Sequence, residues 1–199
     1  MKKLHRSDLY GWSVFDTERN IDFNGTLWVS SLGNVLIDPV PLIEHDKKHL
    51  ENLGGAAHVI ITNSDHVRDT KKILLFTGAK CWGPLAEKER FPLDCDGWLE
   101  DGDKPISGIE VFSFNGSKTP GELAILIDET TLITGDLIRA HEGGRLCMIP
   151  DAKLKNRELA VESIKRMASK KGIQAVIPGD GWPVFQNGHE ALLELAGKL

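Results

Sequence analysis

The sequence predicts an α+β protein: an αββα sandwich of two mixed β-sheets packed face to face, with helices on the outside. Three observations carry this reading. Strand-like and helix-like segments alternate along the chain, hairpin signals occur in both halves, and no linker, repeat or low-complexity segment interrupts them. At 199 residues the chain suits a single domain spanning 1–199.

The elements follow in order. Residues 25–40, GTLWVSSLGNVLIDPV, split into two β-rich runs around a turn at Gly33-Asn34. Asp38-Pro39 ends the second run, because proline has no N–H for a ladder and restrains the residue before it. Residues 42–53 place apolar side chains at 42, 43, 50 and 53 among charges, an amphipathic helix stopped by Gly54-Gly55. AHVIIT (57–62) is uniformly apolar, as expected of a strand buried on both faces. A helix over 69–78 and a short strand over 79–83 follow. In the second half, 108–114, 122–128 and 130–136 are β-rich, with Glu129 at a tight hairpin between the last two. A helix over 156–172, with Leu159, Ile164 and Met167 as inner-face candidates, precedes a strand over 173–181 and a closing helix over 187–199.

Composition narrows the function. The net charge of −5 opposes nucleic acid as a partner, since neutralising phosphates needs a basic excess. The basic start MKKLHR is not followed by an apolar run, and no segment has the length of apolar sequence that a membrane crossing needs. The three cysteines, Cys81, Cys95 and Cys147, form no CxxC pair and read as reduced core thiols of a cytoplasmic protein.

Polar residues collect where strands end. VIIT runs into Asn63, Asp65, His66 and Arg68; VFSF into the loop holding Lys118; LIT into Gly135-Asp136; AVI into Pro178-Gly179-Asp180. Strand ends are rigid mounts for functional side chains. Arg139 and the loop HEGGRLC (141–147), with its flexible glycine pair, are candidates to reach the same mouth, as is Trp182.

In order and spacing these four loops resemble the metallo-β-lactamase fold superfamily, which includes glyoxalase II-like hydrolases. The family pattern T-H-x-H-x-D-H is matched by Thr62-Asn63-Ser64-Asp65-His66-Val67-Arg68, and G-H-T-x-G by Ser117-Lys118-Thr119-Pro120-Gly121. Strand-G-D is intact as Thr134-Gly135-Asp136, and P-G-H-G becomes Pro178-Gly179-Asp180-Gly181. The resemblance implies the sandwich fold and, for the family, hydrolysis by a metal-bound hydroxide. It also implies that Asn63, Asp65, Arg68, Lys118 and Asp180 stand at metal-binding histidine positions, and Val67 at a metal-bound aspartate. Only Asp136 is the family residue.

Valine cannot ligate, and neither can a protonated lysine or arginine, so a binuclear zinc site is not expected. The leading expectation is a cofactor-free cluster in which Lys118 and Arg68 take over the metal's positive charge among Asp65, Asp136 and Asp180. Such a pocket, with Asn63, Arg68, Arg139, Asp180 and Trp182 as ligand-binding candidates, suits a small anionic molecule. The alternative is a hydrolase holding one divalent metal ion other than zinc on Asp65, His66, Asp136 and Asp180. Asp65, His66, Lys118 and Asp136 are the candidates for catalysis; in a metal-free version Asp65 or His66 is the general base and Lys118 stabilises charge.

Overall fold

A computed structural model describes residues 1–199. Thirteen strands form three sheets. The first contains β1 (Lys2–Lys3), β2 (Leu9–Asp16), β3 (Ile21–Trp28), β4 (Val35–Ile37), β5 (His58–Ile60), β6 (Lys80–Pro84) and β7 (Gly97–Leu99), in that spatial order. The second contains β8 (Ile109–Phe114), β9 (Glu122–Ile127), β10 (Thr131–Thr134) and β13 (Ala175–Pro178), in the order β13-β10-β9-β8. The third is a hairpin of β11 (Ile138–Glu142) and β12 (Arg145–Met148). The helices are α1 (Glu44–Asn52), α2 (Thr70–Thr77), α3 (Arg157–Ser169) and α4 (Gly188–Gly197). None is long and apolar enough to cross a membrane.

The layers follow from the two-residue period of strands. Val35, Ile37 and Ile60 point to the inter-sheet core, where Leu123, Ile125, Ile127, Ile133 and Ile177 of the second sheet meet them. Their neighbours Leu36, Val59 and Ile61 point outward beneath Leu50 of α1 and Ile73 of α2. Across the second sheet, Ala124, Leu126, Leu132 and Val176 face Ile164 and Met167 of α3 and Leu192 and Leu195 of α4. Both sheets are apolar on both faces, which is why AHVIIT and ELAILI show no alternation.

Several sequence expectations are corrected. Leu159 lies 43% exposed, because the inner face of α3 is set by Ala160, Ile164, Met167 and Ala168 instead. Ile43 precedes α1 and is 65% exposed. The first sheet begins well before residue 25, with β2 and β3 paired over their whole lengths. HEGGRLC is no free loop: Gly143-Gly144 turns the β11–β12 hairpin. The hairpin expected at Glu129 is present: Thr130 N–H closes a β-turn on Ile127 O at 3.1 Å, and its central residues Asp128 and Glu129 both have positive φ, 46° and 59°.

Sheet direction brings the functional loops to one edge. β4, β5 and β6 are parallel, and β8, β10 and β13 share one direction. Three main-chain hydrogen bonds stitch the sheets together there: Asn24 N–H to Gly179 O (2.8 Å), Leu123 N–H to Thr62 O (2.8 Å) and Gly181 N–H to Asp22 O (2.9 Å).

Candidate functional site

Register aligns the two central carboxylates. Thr134 of β10 pairs with Pro178 of β13, and Asp136 and Asp180 each lie two residues beyond that pair. Both are 2% exposed. The loops that carry them begin with glycine for a steric reason. A Cβ on Gly179 would lie 2.5 Å from His66 Cε1, and one on Gly135 would crowd Thr62, Asn63 and Glu122.

From the first sheet, β5 ends in a 3-10 turn over Ser64–His66, capped by Asn63, whose Oδ1 accepts from Asp65 N–H at 3.0 Å. The turn aims His66 inward. Its Nδ1 bonds to Asp38 Oδ2 at 2.7 Å, and Thr62 holds the same carboxylate through its N–H (2.7 Å) and hydroxyl (2.6 Å). The other ring nitrogen, Nε2, lies 3.8 Å from Asp136 Oδ1 and 4.0 Å from Asp180 Oδ1, with no hydrogen-bond partner. Burial alone would make His66 less basic, but the Asp38 charge, with help from Asp136, raises its pKa to about 9.

Three cations complete the cluster. The Arg139 guanidinium bridges the carboxylates: Nη2 pairs with Asp136 Oδ1 and, at 3.0 Å, with Asp180 Oδ2. Lys118 Nζ pairs with Asp65 and lies 3.4 Å from Asp136 Oδ2. Arg68 mostly serves the backbone, donating to Asn24 O (2.8 Å), Asp38 O (3.0 Å) and Gly179 O (3.2 Å), with Asp180 Oδ1 at 3.5 Å. Burial works against ionisation of Asp136, yet His66, Arg139 and Lys118 together hold its carboxyl well below the usual carboxylate range. The cluster thus contains four carboxylates (Asp38, Asp65, Asp136, Asp180) and four cationic groups, counting His66 as protonated.

The cluster floors a cleft of about 310 Å³ whose lining includes Arg19 and Lys153 at the rim, with Phe23 and Ile21 as its apolar part. Seven sequence candidates, Asp65, His66, Arg68, Lys118, Asp136, Arg139 and Asp180, line it together. Asp65 lies at the rim; it is His66, Asp136 and Asp180 that bring donor atoms within 4.8 Å of one another. Asn63 is fully buried behind the cleft as a cap. Trp182 lies outside it, 62% exposed, with its indole N–H on Asp22 at 3.2 Å.

The sequence reading missed four supporting residues. Asp38, which lies between β4 and Pro39, holds Thr62 and the His66 ring through its carboxylate. Asn24 donates to Pro178 O (2.9 Å) and Gly181 O (2.6 Å), fixing the Asp180 loop. Glu122, fully buried, accepts from Ser117 Oγ (2.6 Å) and Leu137 N–H (2.8 Å). Burial and the nearby Asp136 charge push its carboxyl up to about 7. Glu87 accepts from Ser64 N–H at 3.1 Å and so supports the 3-10 turn.

A family model of the metallo-beta-lactamase superfamily matches residues 1–199. The chain belongs to the metallo-beta-lactamase superfamily. Solved structures agree on the fold. A metallo-beta-lactamase from Pontibacter korlensis is similar with a TM-score of 0.74 at 16% identity, covering 98% of this chain and 97% of that one. One from Erythrobacter litoralis is similar with a TM-score of 0.75 at 14% identity, covering 98% and 94%. No curated protein matches the chain by sequence. Zinc is the usual metal of this superfamily, and a pair of zinc ions does not fit the residues present. Three donors converge, and the positions around them are taken by Arg139, Lys118 and Arg68. The donor set, one imidazole and two carboxylates, fits at most a single divalent ion.

Proposed function

We propose that this protein uses its cleft to bind a small anionic molecule, with a proton on His66 and the side chains of Arg139 and Lys118 in the place of the family's metals. One observation carries the reading: the four buried and half-buried carboxylates of the cluster are already matched by four cations, while Arg19 and Lys153 at the rim have no carboxylate closer than 4.0 Å. An entering carboxylate or phosphate would meet those two guanidinium and ammonium groups, with Lys118 free to exchange Asp65 for the ligand. The test is a thermal-shift series with inorganic phosphate, pyrophosphate and small mono- and dicarboxylates. Stabilisation that saturates, weakens with salt and is lost in Lys153→Glu and Arg19→Glu is expected. Absence of stabilisation by every anion would sink the reading.

A second reading rests on two orphaned atoms. His66 Nε2 and Asp180 Oδ1 are buried without hydrogen-bond partners and lie 4.0 Å apart, beside Asp136 Oδ1, with Arg68 Nη2 3.5 Å from Asp180 Oδ1. With His66 neutral, His66, Asp136 and Asp180 would hold one divalent ion, and the Asp38 bond to Nδ1 would orient the ring for it. Such an ion supplies Lewis acidity and lowers the pKa of bound water. Manganese, magnesium, iron or zinc raising the melting temperature of chelator-treated protein, with the effect lost in Asp180→Asn, supports this reading over the first.

A further inference from the structure

Cys81 and Cys95, fourteen positions apart in sequence, bring their sulfurs to 3.3 Å. Cys81 is buried in β6, and Cys95 is half-buried in the segment leading to β7. A two-point clamp makes the approach. Asp96 N–H donates to Cys81 O at 2.9 Å, and the Asp96 carboxylate accepts from Cys81 N–H at 2.8 Å. Gly83 clears the space, since a Cβ there would come within 3.2 Å of Cys95 Sγ, Phe91 and Trp98. A disulfide needs sulfurs about 2 Å apart, so a shift of roughly 1 Å in the half-exposed Cys95 segment closes the bond.

The segment enclosed by the pair, 82–94, reaches the cleft. Glu87 holds Ser64 N–H, the first residue of the turn that carries Asp65 and His66. Ala86 packs on Gly121, where a Cβ would lie 2.6 Å from its methyl, in the loop that carries Lys118. We propose that Cys81 and Cys95 are a redox modification site, forming a reversible disulfide that staples segment 82–94 and restrains the loops bearing Asp65, His66 and Lys118. The inference holds for either occupant of the cleft.

The chemistry balances with a peroxide as oxidant. One thiol is oxidised to a sulfenic acid as the O–O bond of hydrogen peroxide breaks and one oxygen leaves as water. The second thiol attacks that sulfur; the S–S bond forms, the S–O bond breaks, and the other oxygen leaves as a second water carrying the remaining thiol proton. Two electrons pass from the thiols to the peroxide. Thiol reductants reverse the step by exchange.

The experiment treats the folded full-length protein with hydrogen peroxide, alkylates it and maps its peptides by mass. The expected result is loss of two of the three titratable thiols. A linked 81–95 peptide lighter by two hydrogens should appear, and dithiothreitol should reverse it. Amide exchange over 62–66 should slow several-fold on oxidation, because Ser64 N–H reports on Glu87. In Cys95→Ser both changes should vanish; should that variant fail to fold, oxidised and reduced wild type remain a matched pair. Persistence of three thiols, over-oxidation of Cys95 with Cys81 still free, or links only between separate molecules would overturn the site. A disulfide that leaves exchange over 62–66 unchanged would overturn its role as a staple.

Discussion

Arg139 is the residue on which the cluster turns, because one guanidinium pairs with both Asp136 and Asp180. Removing one partner of a buried ion cluster leaves the others uncompensated and costs about 3–5 kcal/mol. Arg139→Met is therefore expected to lower the free energy of unfolding by that amount in urea melts, whereas a surface change such as Arg157→Met is expected to stay near zero. His66 makes a pH prediction of definite sign. Its folded-state pKa, raised to about 9, lies above the ordinary histidine value of 6.5. The group therefore contributes stability that is fully present below pH 6.5 and is lost as pH rises towards about 9. The melting temperature should fall across that window, and His66→Gln should flatten the fall. Much of this was legible from residue types: Asp65, Lys118, Asp136 and Asp180 are conspicuous as charges at strand ends. Arg139 as the bridge was not, since a turn of three residues past Asp136 says nothing about which way a long side chain folds back. Asp65 and His66, candidates for the same site, part company because a 3-10 turn points consecutive side chains to different sides: His66 turns inward to Asp136 and Asp180, and Asp65 pairs with Lys118 at the rim.

At the scale of elements, β10 and β13 do the positioning. Their parallel register puts two loops at equal overhang, and glycines at 135 and 179 let His66 and Thr62 close in. Gly179→Ala would drive a methyl to 2.5 Å from the His66 ring. The ring would have to give up Asp38 or the backbone its bond to Asn24. A loss of several degrees in melting temperature is expected, together with a shifted His66 ring signal by NMR. Helices and buried strands were legible from apolar period and glycine stops. The β11–β12 hairpin was not, because its strands IRAHE and RLCM are only five and four residues long, and a Gly-Gly pair reads equally as loop or turn. β2 escaped for the opposite reason: LYGWSVFD mixes aromatic and small residues because Gly25 of β3 accommodates the Trp12 ring.

For the whole molecule, the two sheets share one apolar layer, with Ile125 fully buried at its centre. Ile125→Ala is expected to cost about 2–5 kcal/mol. A single domain over 1–199 predicts that this loss appears in one cooperative transition, with fluorescence and far-UV dichroism superimposing; two separated transitions would contradict it. Fold class was legible from the sequence because layer order depends on pattern, which survives substitution. The chemistry of the cleft was less so, because it depends on where protons and long side chains go, and those are settled by burial and partners that appear only in three dimensions.

The three main-chain bonds that join the sheets at the cleft, from Asn24, Leu123 and Gly181, have a mechanical consequence. Side-chain packing alone lets two sheets slide, but directional bonds resist shear. The sandwich is bound along the cleft margin like a book at its spine, while the far side is tied by Arg6 to Asp128 and Thr130 and by Gly102 and Asp103 to Val111. Partial opening on heating should therefore begin away from the spine. Amides of the edge strand β1 are expected to exchange before those of residues 62, 123 and 179, so the cleft would keep its shape after the pages have begun to part.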